Sequence, residues 1–174
     1  TEPPIDPPPV TENRVEPFAI ERVRLLDSRF KSNQELLRTG YLAWIDPNRL
    51  LYPFRENTGL PQAPGATSLG GWEGGGGFTA VRGHMAGHYL TAASKMYAAT
   101  GDTAFLNKVN HLVTELKNCQ DALGVQEAAA GRPYGYLSAF PVSYFEALET
   151  NPAGQGNVPF YTIHKILAGL VDAY

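Results

Sequence analysis

Two histidines of the sequence, His84 and His88, are spaced four residues apart. On a helix this spacing places both imidazoles on one face, one above the other. Such a pair can bind zinc, but Met85 stands where the metalloprotease motif HExxH has its Glu, so a metal is the weaker interpretation. Two interpretations stay open: a polar rim that hydrogen-bonds the hydroxyl groups of a ligand, or structural imidazoles that bond a neighbouring glycine-rich loop.

Trp72 and Glu73 lie in a stretch from Tyr52 to Gly83 that is rich in Gly and Pro and that we interpret as one long loop. Loops beyond about 12 to 15 residues are uncommon in compact domains unless they are functional or disordered. An exposed indole can stack on the C–H face of a sugar, and a carboxylate can accept hydrogen bonds from its hydroxyls. Equally, the Trp72 side chain can pack against the core and so anchor the loop. Gly74 to Gly77 argue for mobility, and without a GK[ST] ending they form no phosphate loop. We favour a binding loop.

The segment YTIHK places His164 in the first turn of a helix that we expect to begin near Tyr161. There the imidazole can face a pocket or bond the backbone near the helix end. The Tyr161 hydroxyl can contribute to the pocket edge, or the ring can simply pack. Cys119 is the only cysteine, so no internal disulfide forms, and its apolar helix stripe is the setting of an inert buried thiol.

The elements that must position these residues are mostly helices, because apolar residues recur at intervals of three and four. The predicted helices run from about Ser28 to Trp44, Gly83 to Thr100, Thr103 to Leu123, Val142 to Glu149, and from Tyr161 onward. Gly101 and Asp102 join the second and third helices into a hairpin, because Gly supplies a left-handed turn and Asp caps the next helix.

Other side chains carry structural expectations only. Weak alternation from Phe18 to Leu26 predicts a short edge strand, and Asp46-Pro47 ends the first helix. Glu115 and Asp121 fall on the polar side of their helix and should be solvated. The residues expected to be buried include the first-helix stripe and several aromatics: Phe18, Phe30, Leu37, Tyr41, Trp44, Phe54, Phe105 and Phe145.

Composition narrows the class of protein. The 174 residues suit one core, and 14 Lys and Arg against 17 Asp and Glu give a net charge of -3 without a basic stripe, which disfavours a nucleic-acid partner. No apolar run approaches the roughly 20 residues that a membrane-spanning helix needs, so no membrane partner is expected. Residues 1–17 hold six of the 14 prolines and are predicted to be a disordered tether.

Seven segments, read in order, resemble the N-terminal half of the (α/α)6 barrel in glycoside hydrolase family 127 and the related family 146. They are LLDSRF, DPNRLLYPFRENTGL, LGGWE, RGHMAGHYLTA, YAATGD, GYLSAFP and YTIHKILAGLVDAY. The resemblance covers residues 18–174. We therefore expect an all-α fold, a partial (α/α)6 barrel (α/α toroid) of antiparallel helical hairpins with long Gly-rich loops. Because the last helix meets no stop signal, truncation at the C-terminus is expected as well.

The resemblance implies a secreted or periplasmic, retaining β-L-arabinofuranosidase that removes terminal β-L-arabinofuranose from plant-type glycans. It also implies that His164 contacts the sugar. Family members use a Glu acid/base and a Cys nucleophile whose sulfur sits in a zinc site of three Cys and one Glu, all C-terminal to the residues present here. We therefore expect no catalytic residue and no metal in this chain, with zinc in the full-length enzyme.

The resemblance implies an oligosaccharide substrate, and the incomplete ring implies contact with a second copy of the chain or with a missing C-terminal half. A non-enzymatic carbohydrate-binding or helical interaction module is the alternative function. A different α/α toroid, such as a polysaccharide lyase, would share the hairpin periodicity but not GYLSAFP or YTIHK.

Overall fold

The computed structural model describes residues 15–73, 81–132, 134–151 and 158–174. Within these ranges the chain is helical and contains no strand, which confirms the all-α prediction. Six helices follow one another: α1 in three consecutive pieces (Arg29–Leu36, Leu37–Tyr41 and Leu42–Trp44), α2 (Pro47–Thr58), α3 (His84–Thr100), α4 (Thr103–Ala129), α5 (Ser143–Thr150) and α6 (Pro159–Ala173). The arrangement is consistent with part of a helical barrel. None of these helices is both long and apolar enough to cross a membrane.

Three predicted features lie wholly or largely outside the described residues. Residues 1–14 of the predicted tether are among them, and the remaining residues 15–17 are exposed and outside any helix. Gly74 to Gly77 and the loop NPAGQGN, apart from its Asn151, are the others.

Helices α3 and α4 form the predicted hairpin. Gly101 adopts the left-handed conformation, with φ 72° and ψ 10°, and the Asp102 side chain accepts a hydrogen bond from the backbone N–H of Ala104. Helix α4 continues to Ala129, beyond the predicted end at Leu123. Six apolar residues spaced three and four apart on α4 are buried, among them the predicted Phe105 and Cys119: Phe105, Val109, Leu112, Leu116, Cys119 and Leu123.

Helix α2 lies in the stretch that we interpreted as part of one long loop, so that interpretation is wrong for residues 52–58. Asp46 accepts from the N–H of Asn48, and Pro47 occupies the first helical turn, where its missing N–H costs nothing. The Asp-Pro pair that ends α1 therefore also begins α2. Pro53 makes this helix difficult to predict from the sequence, because a Pro inside a helix normally breaks it.

The N-terminal region differs most from expectation. The predicted edge strand is wrong: Ile20–Arg22 form a 3₁₀ turn, and the described residues offer no strand with which to pair. The apolar stripe of α1 is exposed, and a π-helical turn over Leu37–Tyr41 interrupts its 3.6-residue period. Leu42 is buried instead, and its carbonyl accepts from the Tyr89 hydroxyl at 2.9 Å. The exposed residues include Phe18, Phe30, Leu37, Tyr41 and Trp44.

Glu115 is not simply solvated, contrary to the sequence-based expectation. It accepts from the buried guanidinium of Arg55 on α2 at 2.5 Å, and this hydrogen bond holds the pKa of Glu115 below its ordinary value. The pair ties α2 to α4. Asp121, also expected to be solvated, is half-exposed and pairs with Lys117 one turn away.

Two glycines bring the backbones of α3 and α6 into direct contact. A Cβ atom added to Gly87 would lie 2.1 Å from the carbonyl oxygen of Lys165. A Cβ added to Gly169 would lie 2.4 Å from the carbonyl oxygen of Gly87. Real Cβ atoms do not approach other atoms so closely, so neither position admits a side chain unless the helices separate.

Helices α3 and α6 run parallel. The ring of His84, at the start of α3, lies 6.2 Å from the ring of Tyr161 near the start of α6. Farther along, Lys95 of α3 pairs with Asp172 of α6 at 3.3 Å. Both helices therefore begin at the same end of the molecule.

Replacing Gly87 with Ala should destabilise the protein by about 2 kcal/mol or more, because overpacking against backbone outweighs the roughly 1 kcal/mol that Ala gains in a helix. Urea unfolding measures the change. Gly124→Ala is the matched control: it is also mid-helix, but its Cβ would meet the exposed, displaceable ring of Tyr134. Equal stability of the two variants would contradict the tight α3–α6 contact.

Large apolar side chains are exposed on α1 and on the side of α6 away from α3, among them Trp44, Leu36, Leu167 and Val171. Exposed apolar patches of several hundred Å² usually contact a partner. We expect the isolated chain to self-associate, so that its sedimentation coefficient falls on dilution. A monomer at every concentration, with a high Tm, would contradict this expectation.

Candidate functional site

Glu73 is 6% exposed and lies beside the start of α3. Its Oε2 accepts from the backbone N–H of Gly83 at 2.6 Å, and its Oε1 accepts from the N–H of Met85 at 2.7 Å. The first N–H groups of a helix have no partner within the helix. Glu73 therefore caps α3 from ten residues upstream, a role that the sequence analysis did not foresee, and its predicted sugar contact stays a prediction.

The backbone around Gly83 is closely packed. Gly83 has φ 87°, a left-handed conformation that L side chains rarely adopt. A Cβ there would lie 2.8 Å from the Phe54 ring and 2.9 Å from the Ala139 side chain. Helix α2 and the GYLSAFP segment thus meet at the residue that precedes His84, which fixes where α3 begins.

His84 is held by its Nδ1 atom. This nitrogen lies 2.6 Å from Oε1 of Glu73 and 2.7 Å from the carbonyl oxygen of Val81. The bond to Val81 anchors the imidazole to the end of the Gly-rich stretch, as the structural interpretation of the histidines predicts. It involves only one of the two ring nitrogens, so Nε2 stays available for the other interpretation.

His88 and Tyr161 lie next to His84, and Lys165 lies over the Tyr161 ring. We call these four residues the histidine cluster: His84, His88, Tyr161 and Lys165. The His84 and His88 rings stand edge to face with centroids 5.6 Å apart, and the Lys165 ammonium lies 5.0 Å from the centre of the Tyr161 ring. Lys165 was missed by the sequence analysis. Its position four residues after Tyr161, inside the YTIHK motif, was the signal that could have identified it.

His88 is exposed, yet its pKa lies below the ordinary value of 6.5. Partial desolvation is the largest cause, and the neighbouring charges of His84 and Lys165 lower the pKa further, while Glu73 opposes them. A lowered pKa favours the neutral imidazole as the pH falls toward mildly acidic values. His88 therefore offers one donor and one acceptor over a wider pH range than a free histidine.

His164 is exposed and lies in the second turn of α6, because the helix begins at Pro159 and not near Tyr161 as predicted. The spacing of three residues makes His164 a surface neighbour of Tyr161. It faces away from Thr162 and Ile166, which are buried on the side of α6 that packs against α3. His164 thus borders the histidine cluster through Tyr161.

The Trp72 side chain is 72% exposed, which excludes the interpretation that it packs against the core and anchors the loop. Its backbone carbonyl accepts from the N–H of Val81 at 3.0 Å. This bond and the contacts of Glu73 place the indole at the same end of the molecule as the start of α3. An indole so placed is free to stack on a ligand.

Cys119 is fully buried, and burial raises its pKa to about 11. A thiol in this setting ionises rarely and is unsuited to act as a nucleophile. The described residues hold no group of three or more His, Cys, Asp or Glu side chains arranged to bind a metal ion, so the described part of the chain does not fit the three-Cys, one-Glu zinc site. The expectation of zinc in the full-length enzyme stays a prediction.

Comparison with protein families places the chain among the glycoside hydrolases. The matching family model is described as the β-L-arabinofuranosidase, GH127 catalytic domain, and it covers residues 22–174. The chain belongs to this family, as the seven motifs predicted. No curated protein matches the chain.

In the folded protein, Cys119 should react with a disulfide reagent such as dithionitrobenzoate at pH 8 roughly a hundredfold more slowly than a free thiol. A pKa raised from 9.0 to about 11 removes most of the thiolate, and burial blocks access. The absorbance of the released thiolate gives the rate. The same sample in urea provides the control, and equally fast reaction of the folded protein would contradict the burial of the thiol.

Proposed function

We propose that the chain forms a substrate-binding wall of a retaining β-L-arabinofuranosidase that removes terminal β-L-arabinofuranose from plant-type glycans. Family membership supports hydrolysis of a glycosidic bond. The observation that carries the finer proposal is the histidine cluster at the common N-terminal end of α3 and α6.

The chemistry of the cluster suits a ligand rich in hydroxyl groups. A neutral imidazole and a phenol hydroxyl each donate and accept a hydrogen bond, and an ammonium donates up to three. A sugar hydroxyl also does both, so such a surface can pair with several hydroxyls of one ring. The exposed indole of Trp72 supplies an apolar face for the C–H groups of the same sugar, and His164 extends the polar surface beyond Tyr161.

The catalytic groups are proposed to come from outside these 174 residues. A retaining glycosidase needs an acid/base and a nucleophile about 5 to 5.5 Å apart. Cys119 is buried as a neutral thiol, and both oxygens of Glu73 accept hydrogen bonds from backbone N–H groups. A missing C-terminal half that carries the Cys nucleophile, its zinc and the Glu is the proposed source, with a second copy of the chain as the alternative partner.

A secreted or periplasmic location belongs to the same proposal, because plant-type glycans lie outside the cell that degrades them.

In an enzyme that contains this chain, His164→Ala should lower kcat/KM for p-nitrophenyl β-L-arabinofuranoside roughly tenfold, since one hydrogen bond to the sugar is lost. The Tm should hardly change, because His164 is exposed and Ala is the better helix former. His111→Ala is the control: His111 is an exposed histidine of α4 that contacts Asn48. A destabilised but fully active His164→Ala enzyme would refute the sugar contact.

The isolated chain should hydrolyse the same substrate no faster than background, because neither Cys119 nor Glu73 is free to act. Release of p-nitrophenol by a highly purified sample measures this. Turnover that disappears in Cys119→Ala would make Cys119 the nucleophile and overturn the proposed source of the catalytic groups.

A further inference from the structure

Three nitrogen atoms lie close to the carboxylate of Glu73. Two are the backbone N–H groups of Gly83 and Met85, and the third is Nδ1 of His84, which lies 2.6 Å from Oε1. The side chain is almost entirely buried. A carboxylate at the rim of a binding site could turn toward a ligand, but Glu73 could do so only by giving up these bonds.

The surroundings of His84 also determine which ring nitrogen carries the proton. Nδ1 faces two acceptors, Oε1 of Glu73 at 2.6 Å and the carbonyl oxygen of Val81 at 2.7 Å. A nitrogen between two acceptors must be the donor, so the neutral ring is protonated at Nδ1 and bare at Nε2. Most solvent-exposed neutral histidines carry the proton on Nε2, so this tautomer has to be enforced.

We propose that Glu73 is a positioning residue: it fixes the ring and tautomer of His84 so that the bare Nε2 accepts a hydrogen bond from a sugar hydroxyl, and Glu73 itself does not touch the sugar. The sugar contact rests on the proposed function. The positioning of the ring rests only on the contacts of Glu73 and Val81.

A glutamine cannot replace Glu73 in this role. The amide introduced by Glu73→Gln would have the same shape but a single acceptor oxygen, and its NH₂ group would face one of the three donors. Backbone N–H groups cannot move away, whereas the imidazole can turn or shift its proton so that Nδ1 accepts from the new NH₂ group. Since the Val81 carbonyl is unchanged, we expect a mixture of tautomers in Glu73→Gln.

The first experiment needs no sugar. Long-range ¹H–¹⁵N correlation spectra of the chain, recorded above the pH at which imidazoles titrate, distinguish the two tautomers, and the loss of signals in His84→Ala assigns the residue. We expect His84 to be protonated at Nδ1 while the exposed His164 favours Nε2. A His84 ring protonated at Nε2, or averaged like that of His164, would overturn the proposal.

The second experiment isolates the contribution of Glu73. In Glu73→Gln the ¹⁵N chemical shifts of the two His84 ring nitrogens should move toward the values expected for a mixture of the two tautomers. Glu56→Gln serves as the matched control, because Glu56 pairs with Arg82 close to the start of α3 but does not contact His84. A His84 spectrum that Glu73→Gln leaves unchanged, in a folded protein, would assign Glu73 to helix capping alone and overturn the proposal.

The third experiment separates positioning from direct contact. Methyl β-L-arabinofuranoside is titrated into the wild-type chain, Glu73→Gln, His84→Ala and the double variant. Positioning predicts that Glu73→Gln weakens binding roughly two- to tenfold when His84 is present and has no effect in the His84→Ala background. A loss of similar size in both backgrounds would mean that Glu73 contacts the sugar and would overturn the proposal. If the wild-type chain binds no sugar, the sugar-binding function fails, while the spectra still decide the role of Glu73.

Discussion

The backbone contact between α3 and α6 is the constraint on which the candidate site depends. Gly87 and Gly169 allow the two helices to approach so closely that backbone carbonyl oxygens occupy the space that a Cβ atom would need. At that distance the register of the two helices is fixed. His84 and His88 of α3 then lie near Tyr161 and Lys165 of α6. A larger residue at either glycine would part the helices and separate the histidines from the phenol.

Polar groups distant in sequence complete this framework. Glu73 ties the Gly-rich stretch to the start of α3, and Arg55 ties α2 to Glu115 on α4. Lys108 adds a third bond of this kind, because its ammonium donates to the carbonyls of Ala43 and Ile45, where α1 ends. Each of these bonds satisfies a helix end or a buried charge that would otherwise be costly. The positions of the helix ends, and hence of the site, are set by side chains from elsewhere in the chain.

Much of the fold could be predicted from the sequence, for identifiable reasons. Helices α3 and α4 follow from unbroken apolar periodicity, and the turn between them follows from Gly101 and Asp102. Helix α2 was missed because Pro53 interrupts an otherwise acceptable helix, and the π-helical turn of α1 cannot be recognised from the periodicity of its apolar residues. Motifs identified the site histidines, but Lys165 and the contacts of Glu73 depend on which helices pack together, and spacing along one helix carries no such information.

The parallel arrangement of α3 and α6 also has an electrostatic consequence. The N-terminal end of each helix carries the equivalent of about half a positive charge from its aligned peptide dipoles. Antiparallel neighbours would cancel these charges, whereas here the two ends add beside His84 and Tyr161, which lie in the first turns of their helices. The buried carboxylate of Glu73 lies where this positive potential stabilises it. The same electrostatic field favours electron-rich oxygen atoms over cations at the shared N-terminal end of α3 and α6.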